Sequence, residues 1–240
     1  MDRREKSASR PTHLSSYARA CLQALAQRGL GYKLSVGGGL GLLHYLDYRR
    51  THDVDAWWDS DVTPSEQEAI VQVIKSTLQA WGEVDVRAWG EVISVELSQA
   101  GEQLFSFQIA DRSAQLESSR RAPWVDVNLD SLSDMIGDII ASKMVALVER
   151  GAPRDFRDMH AVCHAGLVTP SDCWSLWACR QRLSDSDTDW SRARLAVATH
   201  LKRIALHRPL DQIPDRSQRS RAAEVRGWYR EVFLNALPTT

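Results

Sequence analysis

The stretch from Leu34 to Trp58, LSVGGGLGLLHYLDYRRTHDVDAWW, constrains this chain more than any other part of it. Lys33, Ser35 and Val36 are expected to lead as a short strand into Gly37, Gly38 and Gly39. Three consecutive glycines let the backbone turn tightly and bare its N–H groups at the start of the following helix. A helix start of that kind attracts phosphate. The segment closes on Asp53-Val54-Asp55, which is expected on a strand. Residues two apart on a strand share one face, so both carboxylates project together and can hold a divalent metal.

The remaining composition narrows the class. The chain has 240 residues, long enough for one large domain or two modest ones, and at 43% hydrophobic it can build a core. Its formal charge of -1 and pI near 6.7 give no whole-chain case for nucleic acid, which would have to come from local clustering. No apolar run approaches the roughly 18 residues that span a bilayer, and the opening MDRREKSASRPTH lacks the apolar core of a signal peptide. A cytoplasmic protein without membrane attachment is expected. Cys21, Cys163, Cys173 and Cys179 are too few and too irregularly spaced for a disulfide framework and read as reduced thiols. His160, Cys163 and His164, with Cys173 beyond, read as ordinary helix packing rather than a zinc site.

Along the chain, a polar leader of about a dozen residues, expected to be mobile, precedes a first helix over Leu14 to Gln27. A strand near Leu34, a helix from about Leu40 to Tyr48 and a strand near Val54 follow. Asp61 or Thr63 can cap a helix that opens with Pro64 and runs to about Trp81. Three β-rich segments come next, Val84 to Ala88, Val92 to Leu97 and Leu104 to Ile109, the last two joined as a hairpin. From Ser131 the pattern is helical, first to the Gly151-Ala152-Pro153 break, then Arg154 to His164, Ser171 to Leu183, Trp190 to Leu206 and Arg219 to Leu237. The expected organisation is an α/β (α+β) domain over 1–130, a mixed β-sheet with flanking helices, followed by an all-helical C-terminal domain over 131–240.

GGGLGLLHYLDYRRTHDVD resembles the signature of the nucleotidyltransferase superfamily, a paired glycine followed at a short interval by Asp-x-Asp. The stretch DIIASKMVALVERGAPRDFRDMHAV, from Asp138 to Val162, resembles the helical motif of the AbiEii/AbiGii toxin branch of that superfamily. Lys143, Arg150, Asp155 and Asp158 match its lysine, arginine and two aspartates three apart. The two motifs stand in the family's order, and that conjunction is more specific than either alone. The resemblance implies that Asp53 and Asp55 bind Mg²⁺ (or Mn²⁺), and that Gly37, Gly38, Gly39, Thr51, Lys143 and Arg150 bind the NTP. It also puts Lys143, Asp155 and Asp158 in the catalytic set beside Asp53 and Asp55. Arg49, Thr51 and His52 stand where the family often carries Arg and Ser or Thr. From the residues themselves, Asp155 and Asp158 lie one helical turn apart and can orient Lys143 or Arg154, or accept a proton.

One position departs from the pattern. Where this branch commonly has a third carboxylate, in a strand after a hairpin, LFSFQIADR places Gln108, a weaker ligand than an acid. Glu96 or Asp111 are the candidate substitutes. Trp57, Trp58, Trp89 and Trp124 are candidates for stacking on a base, with Trp57 preferred because alternation puts it on the face of Asp55. Between Ser191 and Glu231 ten Lys or Arg stand against four acids, an excess that can follow an RNA backbone or simply solvate helix faces.

The resemblance implies transfer of a nucleoside monophosphate from an NTP, bound between the two domains, to an RNA (tRNA) end or a protein hydroxyl. The chain would be the toxin of a toxin–antitoxin or phage-defence pair, with its antitoxin encoded nearby. Two alternatives stand beside it: a nucleotide-binding protein of the same fold in which Gln108 has disabled turnover, and an antibiotic-modifying adenylyltransferase.

Overall fold

The structure is a computed structural model that describes residues 8–112, 114–116, 120–121, 128–129 and 137–236. Trp124, the start of the fourth expected helix at 131–136 and the last four residues lie outside the described residues. The chain divides into two compact units, Met1–Met135 and Ile136–Thr240.

In the first unit, helix α1 (Ser16–Gln27) leads through a 3-10 turn to strand β1 (Leu34–Val36). Helix α2 (Gly38–Leu43), strand β2 (Val54–Trp58) and helix α3 (Pro64–Leu78) follow. Strands β3 (Glu83–Trp89), β4 (Val92–Gln99) and β5 (Glu102–Ala110) come next, then the two-residue strands β6 (Arg120–Arg121) and β7 (Asn128–Leu129). Among the described residues seven strands join one mixed sheet in the order β3-β4-β5-β2-β1-β7-β6. β2 runs parallel to β5 and antiparallel to β1, β7 runs parallel to β1, and the other pairings are antiparallel.

Register divides the sheet into two chemically different faces. Val54 lies opposite Phe107, which lies opposite Val95, and Ala56 pairs with both Val36 and Ile109. These residues pack with Leu22 and Leu25 of α1 and Ile70, Ile74 and Leu78 of α3 in one buried cluster. The alternation that buries this face puts Ser35, Asp55, Trp57, Ser94, Glu96, Ser106 and Gln108 on the other. Asp55, Trp57, Glu96 and Gln108 therefore share the face turned away from α1 and α3.

Local chemistry explains where these elements start and stop. Ser15 caps α1, and Thr63 forms a capping box with Glu66 ahead of Pro64 at the head of α3. α3 ends at Leu78, short of Trp81, whose ring packs edge-on against Tyr17 of α1 at 5.6 Å. Ala100 and Gly101 both take positive φ, the two-residue turn that matches strand twist, so β4 and β5 extend further toward each other than hydrophobic pattern indicates. α2 is much shorter than the helix expected to reach Tyr48. The His44 ring turns back to the Leu40 carbonyl at 2.9 Å, and Ser9 donates its N–H to the His44 carbonyl at 2.8 Å. Thr12 bonds Asp47 through both its N–H and its hydroxyl. The leader, expected to be mobile, is thus tied from Ser9 to Thr12 onto the segment after α2.

The second unit is helical: α4 (Gly137–Glu149), α5 (Pro153–His164), α6 (Pro170–Leu183), α7 (Trp190–His207) and α8 (Arg216–Glu231). Its core gathers Trp174, Tyr229 and Phe233, and the Trp174 indole N–H donates to the Phe233 carbonyl at 3.1 Å. α8 gives way at Val232 to a 3-10 turn over Phe233–Asn235, instead of continuing to Leu237, because that turn buries Phe233 against Trp174 and Tyr229. Among the described residues no helix is long and apolar enough to cross a membrane.

Candidate functional site

The glycine turn and the aspartate strand meet directly. Gly37 donates its N–H to the Asp55 carbonyl at 3.0 Å, tying the turn to β2. Gly38 has φ +54, a left-handed conformation that a side chain disfavours, and the Asp55 carboxylate lies against its α-carbon. A Cβ at Gly38 would fall 2.7 Å from Asp55 Cγ and 2.8 Å from its Cβ, so only glycine leaves room for that carboxylate. Gly39 is crowded from another side. A Cβ there would come 2.9 Å from the Arg49 guanidinium and 3.2 Å from the Thr51 hydroxyl. The three glycines therefore bring Asp55, Arg49 and Thr51 against one turn.

Asp53 sits one residue ahead of β2, and its Oδ1 accepts the Ser106 N–H at 3.2 Å. Thr51 donates its hydroxyl to the Asp53 carbonyl at 3.4 Å. Both aspartates are half-buried. In the parallel register of β2 and β5, Asp55 lies opposite Gln108, which in turn lies opposite Ser94 of β4. Gln108 thus occupies the strand position, on the same face, from which a third acid would address the site. Glu96 is one strand further away, opposite Ser106. It is held by the Ser94 hydroxyl at 3.3 Å and by Arg87 at 3.5 Å. Asp111 lies past the end of β5 and is exposed. Trp57 shares the Asp55 face, and the Arg112 guanidinium sits 5.0 Å from its ring centroid. Trp58 is buried on the opposite face, and Trp89 is exposed at the end of β3.

His44, at the end of α2, is buried, and burial pushes its imidazole down to about 4 despite the opposing bond to Leu40. The helix of the glycine turn therefore carries a neutral histidine at pH 7.

In the helical unit, Lys143 of α4 places its Nζ 2.7 Å from Asp158 and 3.8 Å from Asp155, both on α5. Both aspartates are fully buried, and the Lys143 side chain is only 7% exposed. Arg150, just beyond α4, reaches Asp155 at 3.1 Å, but its side chain is 53% exposed. Asp155 stands in the first turn of α5 after Pro153, where the helix dipole favours an anion. The four residues of the second motif thus form one connected cluster, and Arg154 is not the partner that the aspartates hold.

The basic residues of α7 and α8 are partly committed. Arg194, Arg203, Arg219 and Arg226 each donate to a main-chain carbonyl, and Arg192 pairs with Asp187. Lys202, Arg216, Arg221 and Arg230 remain exposed on the surface.

Spacing did not reveal the Ser106 N–H that fixes Asp53, nor the place of Arg49 against Gly39. Only the pairing of β2 with β5 brings the first into view, and only the loop after α2 brings the second.

Over residues 20–228 the sequence matches the family described as nucleotidyl transferase AbiEii toxin, type IV TA system. No curated protein matches the chain. Among solved structures, the fold is similar to an H. pylori protein provisionally assigned as a nucleotidyltransferase, at 18% identity and TM-score 0.50, covering 90% of this chain and 92% of that one. An antigenic nucleotidyltransferase-like protein from Paracoccidioides brasiliensis aligns at 16% identity and TM-score 0.39, over 87% of this chain and 94% of its own.

Proposed function

Since the chain belongs to the AbiEii nucleotidyltransferase toxin family of type IV toxin–antitoxin systems, we propose that it transfers a nucleoside monophosphate from an NTP to an RNA (tRNA) end or a protein hydroxyl. In this reading it acts in the cytoplasm as the toxin of a pair whose antitoxin is encoded nearby. The observation that carries the proposal is the Asp55 carboxylate lying against Gly38 in the left-handed turn, with Asp53 beside it on the same face. Glycine takes this left-handed conformation without strain, and the space left by its missing side chain is taken by the Asp55 carboxylate.

The donor set fits a hard divalent cation. Asp53 and Asp55 offer half-buried carboxylate oxygens, and the Ser106 bond takes up one oxygen of Asp53 and leaves the other. Mg²⁺ or Mn²⁺ would be held by these two residues, and when bound it neutralises triphosphate charge and polarises the α-phosphate. The chain's own residues supply positioning. Gly38 and Gly39 leave room for the Asp55 carboxylate and for the Arg49 guanidinium and Thr51 hydroxyl beside the turn, Thr51 holds the strand entry, and Trp57 offers a ring on the Asp55 face for a base. Asp155 and Asp158 orient Lys143, and Arg150, exposed over half its side chain, is the residue of that cluster suited to a phosphate. In the reaction the acceptor oxygen bonds to the α-phosphorus as the bond to pyrophosphate breaks, and the hydroxyl proton passes to a carboxylate.

A second reading is supported by a specific observation. Gln108 faces Asp55 across the parallel pair where a third acid would stand, which favours a nucleotide-binding protein without turnover. A third, an antibiotic-modifying adenylyltransferase, shares the first unit's chemistry and differs in acceptor. The test is incubation of the protein with Mg²⁺, each labelled NTP, and total RNA, cell extract or an aminoglycoside, beside an Asp53→Ala/Asp55→Ala variant. Label on RNA or protein that disappears in the variant supports the toxin reading. Label on the drug alone selects the adenylyltransferase, and nucleotide binding without transfer selects the degenerate binder.

A further inference from the structure

A cluster of metal-ligating side chains lies in the helical unit, starting at His160 near the end of the second motif and distinct from its lysine, arginine and two aspartates. His160 and His164 stand one turn apart on α5, their rings nearly parallel at 14° with centroids 5.6 Å apart. Glu224 of α8 completes the group, and one ligand atom from each residue lies within 4.8 Å of the others. From this geometry we infer that His160, His164 and Glu224 form a binding site for a divalent transition metal of the Zn²⁺ type, bridging α5 and α8.

The site is largely built before any ion arrives. The Tyr229 hydroxyl of α8 donates to the Phe156 carbonyl of α5 at 3.1 Å, and the two rings meet edge to face at 4.7 Å. These contacts lock the helices about one turn from the cluster. Trp228, one turn beyond Glu224, presents its ring edge-on to His160 at 5.0 Å and restrains that imidazole. His164 and Glu224 are exposed and can change rotamer. Their ligand atoms need to close from 4.8 Å to about 3.3 Å, the edge of a tetrahedron with bonds of roughly 2 Å.

The donor set selects the ion. Two imidazoles and one carboxylate suit Zn²⁺, with a fourth position left to water, whereas Mg²⁺ prefers six oxygens. Cys163 and Cys173, which share this stretch of sequence, are not part of the site. Their sulfurs lie 3.6 Å from each other, with Cys173 fully buried. The spacing His160-Cys163-His164-Cys173 therefore misdirects, because the third ligand comes from α8, distant in sequence. An ion here would staple α8 onto the helix whose first turns hold Asp155 and Asp158, a structural role independent of the proposed transferase reaction.

The test uses the full chain without an affinity tag, titrated with Zn²⁺ by calorimetry in the presence of excess Mg²⁺. One equivalent of Zn²⁺ is expected to bind, Mg²⁺ is expected not to displace it, and the thermal midpoint is expected to rise. His164→Ala and Glu224→Gln, both at exposed positions, are each expected to weaken binding at least about tenfold and abolish the thermal shift. Asp53→Ala/Asp55→Ala is expected to leave Zn²⁺ affinity unchanged. Co²⁺ binding should give tetrahedral visible bands that are absent from His164→Ala. Non-saturable binding, binding unchanged in both ligand variants, or loss of binding in the Asp53/Asp55 variant would each overturn the assignment.

Discussion

The two motif-bearing regions use the same residue types in opposite physical states. At the glycine turn, Asp53 and Asp55 are half-buried, and one is steadied by a backbone N–H rather than by a cation. In the helical cluster, Asp155 and Asp158 are fully buried and already paired with Lys143 and Arg150. A carboxylate held by neutral donors keeps its charge for a ligand. A carboxylate saturated by a buried ammonium has spent that charge on joining two helices. Aspartates spaced two apart on a strand and three apart on a helix look equally functional in sequence, and only their surroundings separate a half-buried pair beside a backbone N–H from a buried pair held by a lysine and an arginine.

The sharpest way to break this contrast is to remove one carboxylate from each region. Asp158→Ala removes the nearer of the two carboxylates around Lys143, whose side chain is 7% exposed, and leaves Asp155 at 3.8 Å, so the loss approaches the about 3–5 kcal/mol of a buried pair broken on one side. Asp55→Ala should leave stability within about 1 kcal/mol while abolishing nucleotide transfer. Urea denaturation of the two variants decides. A small loss for Asp158→Ala, or a large one for Asp55→Ala, would erase the difference.

Acid provides the next test, and it acts on the first unit through His44. With the folded imidazole held at about 4 and the unfolded one near 6.5, the unfolded chain binds the proton more readily. Stability from this residue is complete above about 6.5 and declines as pH falls toward 4, by about 3 kcal/mol in all, before levelling. Denaturation followed from pH 7 to 4 should show this fall, and His44→Gln should flatten it. An unchanged slope in that variant would place the acid sensitivity elsewhere.

Gly38→Ala tests the turn itself. Positive φ costs about 1 kcal/mol for alanine, and the new Cβ must displace the Asp55 carboxylate as well. Gly90 offers the control, because its φ is +55 and a Cβ there meets nothing within 4 Å. Gly90→Ala should cost about 1 kcal/mol, and Gly38→Ala about 2 kcal/mol together with loss of Mg²⁺-dependent nucleotide binding. Equal effects from both would mean that Asp55 moves aside freely.

The mixed sheet, the helical second half and the existence of α1, α3 and the hairpin were legible because alternation and 3.6-residue spacing report burial directly. The placing of Trp57 on the Asp55 face followed from the same rule. What was not legible depends on contacts distant in sequence. α2 ends early because Ser9 and Thr12 reach the segment after it, and α3 stops so that Trp81 can meet Tyr17. Glu224 joins His160 and His164 only because Tyr229 and Phe156 lock α8 to α5. Within the candidate site, Gly38 and Asp55 were visible as types and spacing, but the close seating of one on the other was not. It depends on a left-handed turn that three adjacent glycines permit without saying which of them adopts it.

The smallest expected effect sharpens the comparison from inside the first region. Gln108→Glu adds a carboxylate directly opposite Asp55 on the neighbouring strand, converting a pair of acids into three. Without metal, like charges across a strand pair repel, and stability should fall by about 0.5–1 kcal/mol. Because a cation that binds only the folded state restores stability by mass action, Mg²⁺ should recover that loss in Gln108→Glu and do less for the parent chain. Thermal denaturation with and without Mg²⁺ measures both quantities. A metal-reversible loss identifies this face as a cation site in which position 108 modulates charge, and turnover gained along with it would explain a degenerate parent. A loss that Mg²⁺ does not repair would mean that Gln108 serves the sheet, and that Asp53 and Asp55 do not gather a cation at its level.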